Sequence, residues 1–466
     1  MGRTSKIATT GLLVLALAAI AVPVGMNLAP ALLPQHAAVV LAPPAAQNLP
    51  AGLATLGGIK ALSPSAPIPN AAVLGTALDK ALTVDGAGDF AALVTDSATG
   101  KVLYSRNASS GRTPASNLKL LTAVAALKSL GADTRFDTTV VAGASNHSIV
   151  LRAGGDSLLG EGDSDATATM GHAGLQTLAD ATAAALKKDG VTGPVTVGID
   201  DSLFTGPALN PNWLSGDVDS GQITPVYPMA LYGDRDVPGV ETGPRPQDAA
   251  ATVGDAFAAA LQKAGVTVSG SVARADASSG ARQLAAVSSA TVAEQVDYAL
   301  QQSDNYVAEV LGRMVGVKEK QGGSYTGAVA ATESVLGRLG LDTTGLVMTD
   351  NCGLAPNNLV SASQLDAVVQ LMLSGPNEDV RQGLAGLPIA GLSGTLSDRF
   401  TTGTTIGGAG VVRAKTGTLN TVATLSGYVI NADGRLLTFS IMGNKFKDGS
   451  AAALPAIDAA AAVLAG

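Results

Sequence analysis

Apolar positions recur along most of this chain at one of two periods, and the switches between them predict its elements. Leu118, Leu121, Ala125 and Leu130 recur at helical spacing. Thr113 stands ahead of them as an N-cap, Pro114 suits the first turn, and Gly131 is a stop. Upstream, Val73–Leu82 is weakly helical, and Phe90–Thr95 and Lys101–Ser105 flank the turn-forming Asp96–Gly100 as a hairpin. Past Arg135 come short strand-like runs over Thr138–Ala142, Ser148–Ala153, Pro194–Ile199, Val266–Ala273 and Arg282–Ser288. Ala-rich helices over Leu175–Lys188 and Asp248–Ala264 alternate with them. Thr291-Val-Ala-Glu294 is a capping box opening a helix to about Gln302. Helices over Tyr306–Met314, Ala328–Leu339 and Ser363–Leu373 follow. Strands are predicted over Val411–Lys415, Val422–Ile430 and Arg435–Met442, then a terminal helix over Ala451–Leu464. The pattern predicts an α/β (α+β) fold, an antiparallel sheet packed with helices, with Lys415 at the end of one strand.

The N-terminus breaks this pattern. Arg3 and Lys6 precede an apolar run, Ile7–Val24, which reads as an export signal, cleaved near Ala29-Pro-Ala31 or retained as an anchor. Pro34–Asn70 is rich in Ala and Pro, and no Asp, Glu, Lys or Arg occurs between Ile7 and Ile59. That composition predicts a flexible tether between membrane and body, and an extracytoplasmic location, in the cell wall or at the membrane. Charged residues make up only 14% of the 466 residues, and the net charge is −8. An acidic balance argues against nucleic acid or an anionic membrane surface as direct partner. The single Cys352 cannot form an internal disulfide.

Candidate chemistry begins in the first strong helix. Ser116 and Lys119 are three apart near its N-terminus, on one face. A hydroxyl there sits at the positive end of the helix, beside an amine able to take its proton. S-x-x-K alone is expected by chance about once or twice in such a chain. Two further stretches change its weight: Ser303-Asp304-Asn305, in a turn between helices, and Lys415-Thr416-Gly417-Thr418. A Ser-His-Asp triad is a poor alternative, because His36 lies in the tether and His147 and His172 in loops. No H-E-x-x-H or Cys/His ligand spacing occurs, so no metal or other cofactor is expected.

Penicillin-binding proteins and class A β-lactamases carry S-x-x-K, S-D-N and K-T-G in this order. The chain resembles the D-alanyl-D-alanine carboxypeptidase/endopeptidase family of class C, low-molecular-mass penicillin-binding proteins with a large insert. Ala153–Asp156, Asp200–Trp213 and Leu387–Phe400 add to the likeness. The gap between Ser116 and Ser303 is far too long for a β-lactamase and fits a catalytic domain with an insert. The resemblance implies a β-lactamase/transpeptidase-like catalytic domain in two parts, 71–134 and 281–466. Residues 135–280 would be the inserted domain or domains, 1–33 the signal or anchor, and 34–70 the tether.

That resemblance also implies roles. Ser116 is the nucleophile, Lys119 its base, and Ser303 the relay to the leaving group. Asn305, Lys415, Thr416 and Thr418 bind substrate, and the backbone N–H groups of Ser116 and Thr418 form the oxyanion hole. The implied substrates are peptidoglycan stem peptides, with β-lactams as acylating inhibitors. Asp304 is expected to be structural. Two other functions stay open: a β-lactamase or related serine esterase using the same site, and a catalytically inactive penicillin-binding-like scaffold. The long insert argues against the first, the intact motifs against the second. Asp350-Asn-Cys352-Gly-Leu354 departs from the family's Asp-Gly-Ser-Gly-Leu, so Cys352 is either an inert buried thiol or a reactive one near the site. Glu333 is expected to be an exposed helix residue rather than a deacylation base.

Overall fold

Strand β1 (Asp89–Asp96) turns back into β2 (Val102–Arg106) because Asp96 accepts from the backbone N–H of Thr99 and the Lys101 carbonyl accepts from that of Asp96. The computed structural model describes residues 62–63, 65–84, 88–237 and 243–466. The Ile7–Val24 run, its cleavage site and most of the tether lie outside the described residues. Among the described residues, no helix is long and apolar enough to cross a membrane.

Seven short strands follow the hairpin: β3 (Asp137–Ala142), β4 (Ser148–Arg152), β5 (Asp156–Leu159), β6 (Thr196–Asp200), β7 (Met229–Leu231), β8 (Ala273–Arg274) and β9 (Gln283–Ser288). Five of them form a mixed sheet in the order β8-β6-β4-β3-β9, and β5 pairs with β7. The strand expected over Val266–Ala273 shrinks to β8 and a bridge from Val195 to Val268. Gly270 takes φ +73° there, which interrupts an extended backbone.

The chain then returns to its first sheet through β10 (Val412–Leu419), β11 (Val422–Ile430) and β12 (Leu436–Asn444), giving the order β10-β11-β12-β1-β2. All of its pairings are antiparallel. Lys415 falls in the middle of β10, opposite Ser426, and not at a strand end as its short apolar run suggested. The strand extends through Thr416, Gly417 and Thr418 because β11 pairs with all three.

The helix Leu118–Leu130 is buried over eleven of its thirteen residues. An apolar stripe predicted one buried face; enclosure by neighbouring helices and the sheet makes this a core helix. Burial of Leu118, Leu121, Val124 and Leu127 anchors it at roughly 1.5–3 kcal/mol each. The same core holds Trp213, Ile223 and Val226, from a segment numbered within the block of short strands. A separate core, with Val140, Leu151, Leu178 and Phe257, lies under the five-stranded mixed sheet.

We propose that residues 135–280 are an inserted folding unit with this second core. Limited proteolysis is expected to cut first at its exposed tips, Glu161–Thr167 and Asp276–Gly280, before anywhere in β10–β12. First cuts within Val411–Met442 would count against that division.

Candidate active site

The helix carrying Lys119 does not begin as its pattern predicted. Pro114, not Thr113, precedes a 3₁₀ turn over Ala115–Asn117, and no side chain caps it. Thr113 instead donates its hydroxyl to the Pro356 carbonyl at 3.2 Å. Ala115 takes φ +48°, a conformation that costs a non-glycine residue about 1–3 kcal/mol and must be held from outside. Two glycines allow that hold. A Cβ on Gly417 would meet the Pro114 carbonyl and Asn117, and one on Gly353, at φ +86°, would collide with the Ala115 carbonyl. Asn117 Nδ2 donates to Thr424 Oγ1, which donates to the Pro114 carbonyl at 2.8 Å. Ser116 thus stands half-buried at the cleft, clamped between β10–β11 and the turn at Gly353.

Lys119 is buried. Its Nζ lies 2.9 Å from Ser116 Oγ, 2.7 Å from Asn305 Oδ1 and 2.8 Å from the Cys352 carbonyl. Burial pushes its pKa below the ordinary amine value, against the pull of Cys352, Asp350, Asp304 and Glu309. Opposite it, Lys415 is also buried and donates to Ser303 Oγ and to the Thr416 carbonyl, both at 2.9 Å. Burial, then the charges of Lys119 and Arg399, push Lys415 well below the usual range.

Ser303 takes φ +54° in the turn between helices Val292–Gln301 and Asn305–Lys318. Asp304 caps the second helix through Val307 N at 2.9 Å, and pairs with Arg235 at 2.6 Å. Asn305 donates from Nδ2 to the Gln222 carbonyl at 2.9 Å. Thr416 shares a hydrogen bond with Thr395 at 2.6 Å. All seven residues predicted for the site therefore converge: Ser116, Ser303, Asn305, Thr416 and Thr418 line one cleft of about 410 Å³, and Lys119 and Lys415 lie beneath it. Gln222, Leu354, Thr418 and Leu419 also line an adjoining groove of about 800 Å³.

Sequence reasoning missed Gln222, Arg235, Arg245 and Arg399, which also line the cleft. No short motif marks them; Arg399 alone lies in a run quoted for the resemblance. Of the two readings of Cys352, burial selects the inert one. Its thiol donates to Asp350 at 3.4 Å, and burial with the nearby carboxylates raises its pKa well above the usual range. Glu333 departs from the expected exposure. It is half-buried, its pKa raised by burial, and it does not line the cleft. His147 and His172 hydrogen-bond to Pro194 and to Arg135 and Ala168, away from the cleft.

The chain matches the D-Ala-D-Ala carboxypeptidase 3 (S13) family over residues 74–245 and 234–465. It belongs to that family. Carboxypeptidase Rv3627c of Mycobacterium tuberculosis is 35% identical over 394 residues, 83% of each chain. The D-alanyl-D-alanine carboxypeptidase of an Actinomadura species is 32% identical over 423 residues, 76% of this chain and 77% of that one. In fold, the chain is similar to penicillin-binding protein 4 of Haemophilus influenzae, with a TM-score of 0.68 at 20% identity. That match covers 84% of this chain and 98% of the other. Family membership makes the protein a hydrolase, and neither the β-lactamase nor the inactive-scaffold reading is favoured.

Proposed function

We propose that this protein is a serine-type D-alanyl-D-alanine carboxypeptidase and endopeptidase that trims peptidoglycan stem peptides outside the cytoplasm. One observation carries the assignment: two buried lysines, each 2.9 Å from a serine hydroxyl, meet at a single cleft. As a free amine, Lys119 accepts the proton of Ser116 Oγ while that oxygen bonds to the carbonyl carbon of the penultimate D-alanine. The N–H groups of Ser116 and Thr418 stabilise the oxyanion. As the intermediate collapses, the C–N bond to the terminal D-alanine breaks, and the Ser303 hydroxyl, held by Lys415, passes a proton to the departing amine. Ser303 recovers its proton from Lys119, which becomes a free amine again; as water attacks the acyl carbonyl, Lys119 accepts its proton and passes it to Ser116 Oγ when the ester C–O bond breaks.

Lys415, Thr416 and Thr418 hold the terminal carboxylate, and Asn305 holds the amide on the acyl side. The adjoining groove leaves room for the rest of the stem or for a cross-linked partner strand. β-Lactams enter as mimics of the terminal dipeptide and acylate Ser116. The Ile7–Val24 run directs the chain out of the cytoplasm, either cleaved near Ala29-Pro-Ala31 or retained as an anchor.

Purified protein given a pentapeptide and a cross-linked muropeptide is expected to release D-alanine from the first and to split the second, read by product mass. Amidating the pentapeptide's terminal carboxylate is expected to slow release by about 10²-fold, the scale of losing one preorganised electrostatic contact. Absence of both products would sink the assignment, and equal rates on free acid and amide would remove the carboxylate clamp.

A further inference from the structure

Glu309 lies four residues beyond Asn305 on the same helix, hence on the same face, and the chemistry above makes no use of it. It is fully buried. Its Oε1 accepts from the backbone N–H groups of Asn351 at 2.7 Å and Cys352 at 2.8 Å. The carbonyl of that same Cys352 accepts from Lys119 Nζ at 2.8 Å. Asp350 holds the other half of the turn, accepting from Gly353 N at 2.9 Å and Ala355 N at 2.7 Å. Gly353 is the residue that lets the Ala115 carbonyl, next to the nucleophile, come close. One short turn therefore supports the nucleophile's backbone on one side and the base's nitrogen on the other.

We propose that Glu309 is a positioning residue for acyl transfer: by pinning the backbone of Asn351 and Cys352, it fixes the carbonyl that aims Lys119 at Ser116. The inference rests on the roles proposed for Ser116 and Lys119.

A carboxylate is a costly choice for a purely structural acceptor. An amide oxygen would satisfy the two N–H groups without burying a charge. Moreover, Glu309 Oε2 is buried without a hydrogen-bond partner. What the carboxylate adds is charge close to Lys119. The carboxylates of Asp350, Asp304 and Glu309 face Lys119 and raise its proton affinity, the buried Cys352 thiol faces it uncharged, and Lys415 lies across the cleft. Burial, reinforced by Asp350, pushes the Glu309 carboxyl up to about 7, and Cys352, Asn351 and Arg313 oppose that rise. Glu309 is thus charged above neutrality, where it supports the proton affinity of Lys119. Removing the charge makes Lys119 easier to deprotonate and moves the onset of acylation to lower pH.

The test measures acylation of the full chain by a fluorescent penicillin against pH, in the parent, Glu309→Ala and Glu309→Gln, with melting curves to establish that each variant is folded. Glu309→Ala leaves two buried N–H groups unpaired and frees the turn. Acylation is expected to fall about 10²-fold, the scale of misplacing a catalytic group by about 1 Å. Glu309→Gln keeps an oxygen acceptor of the same shape and restores most of the rate, with the acid limb displaced to lower pH. A Glu309→Ala protein acylated as fast as the parent overturns the inference, as does Glu309→Gln with the parent's pH profile or as slow as Glu309→Ala. A parent that is not acylated on Ser116 overturns the roles of Ser116 and Lys119 first, and shows this without any Glu309 variant.

Discussion

Replacing Ser116 with Ala is expected to end both peptide hydrolysis and covalent labelling by penicillin, with kcat falling on the order of 10⁶-fold, as for loss of a serine nucleophile elsewhere. The fold is expected to survive. Ser116 is half-buried, and the hydrogen bond lost to Lys119 leaves that amine its contacts with Asn305 and Cys352, a net cost of about 1 kcal/mol. The sharper question is which serine reacts, because Ser303 also has a lysine at 2.9 Å. Both serines stand two residues ahead of a helix, so the helix field does not separate them; Ser116 is set apart by the S-x-x-K spacing, which puts Lys119 on the helix that Ser116 leads into, its Nζ 2.9 Å from Ser116 Oγ. Intact-protein mass spectrometry after brief exposure to penicillin is expected to show one adduct on the parent, lasting minutes or longer, and none on Ser116→Ala. An adduct mapping to Ser303 would reverse the roles of the two serines. Persistence is expected because the β-lactam remnant, unlike a departed D-alanine, stays in the cleft and blocks the approach of water, and Glu333, the carboxylate weighed as a deacylation base, does not line the cleft.

Lys119→Met is the second large effect, a loss of about 10²–10⁴-fold in acylation, the range for removing a general base. Methionine fills much of the same buried volume, so the change removes the amine more than the packing. Its pH signature is specific. A lysine acts as base only when unprotonated, so acylation of the parent rises with pH as Lys119 loses its proton. Burial lowers the pKa of Lys119, and the rise is therefore centred below the ordinary amine value of 10.5. Burial lowers Lys415 as well, and the charge of Lys119 lowers it further, so the two amines titrate as a coupled pair. Lys119→Met is expected to lose the acid limb and keep the folded state. A variant that still shows the parent's rise would assign the base elsewhere.

Much of this molecule was legible in local pattern. The capping box Thr291–Glu294, the helix Leu175–Lys188 and the strand Val422–Ile430 all lie where spacing and capping chemistry put them. Those features are decided by residues a few positions apart, within reach of one helical turn or one hairpin. The chemistry-bearing residues were legible too, because three short motifs in a fixed order name them.

Tertiary structure decided the rest. Lys119 draws its three acceptors from Ser116 in the turn before its helix, from Asn305 and from Cys352, segments far apart in the chain. Thr113 yields its expected cap because Gly353 and Gly417 bring other segments against the turn at Ala115, and that contact tightens the entry to a 3₁₀ turn. Lys415 moves from a predicted strand end to mid-strand because β11 continues alongside it. The arginines at the cleft, the inert state of Cys352 and the lowered proton affinity of both lysines have no local signature. Each depends on how much water is removed and which charges remain nearby, and both are set by chain segments that meet only in the folded protein.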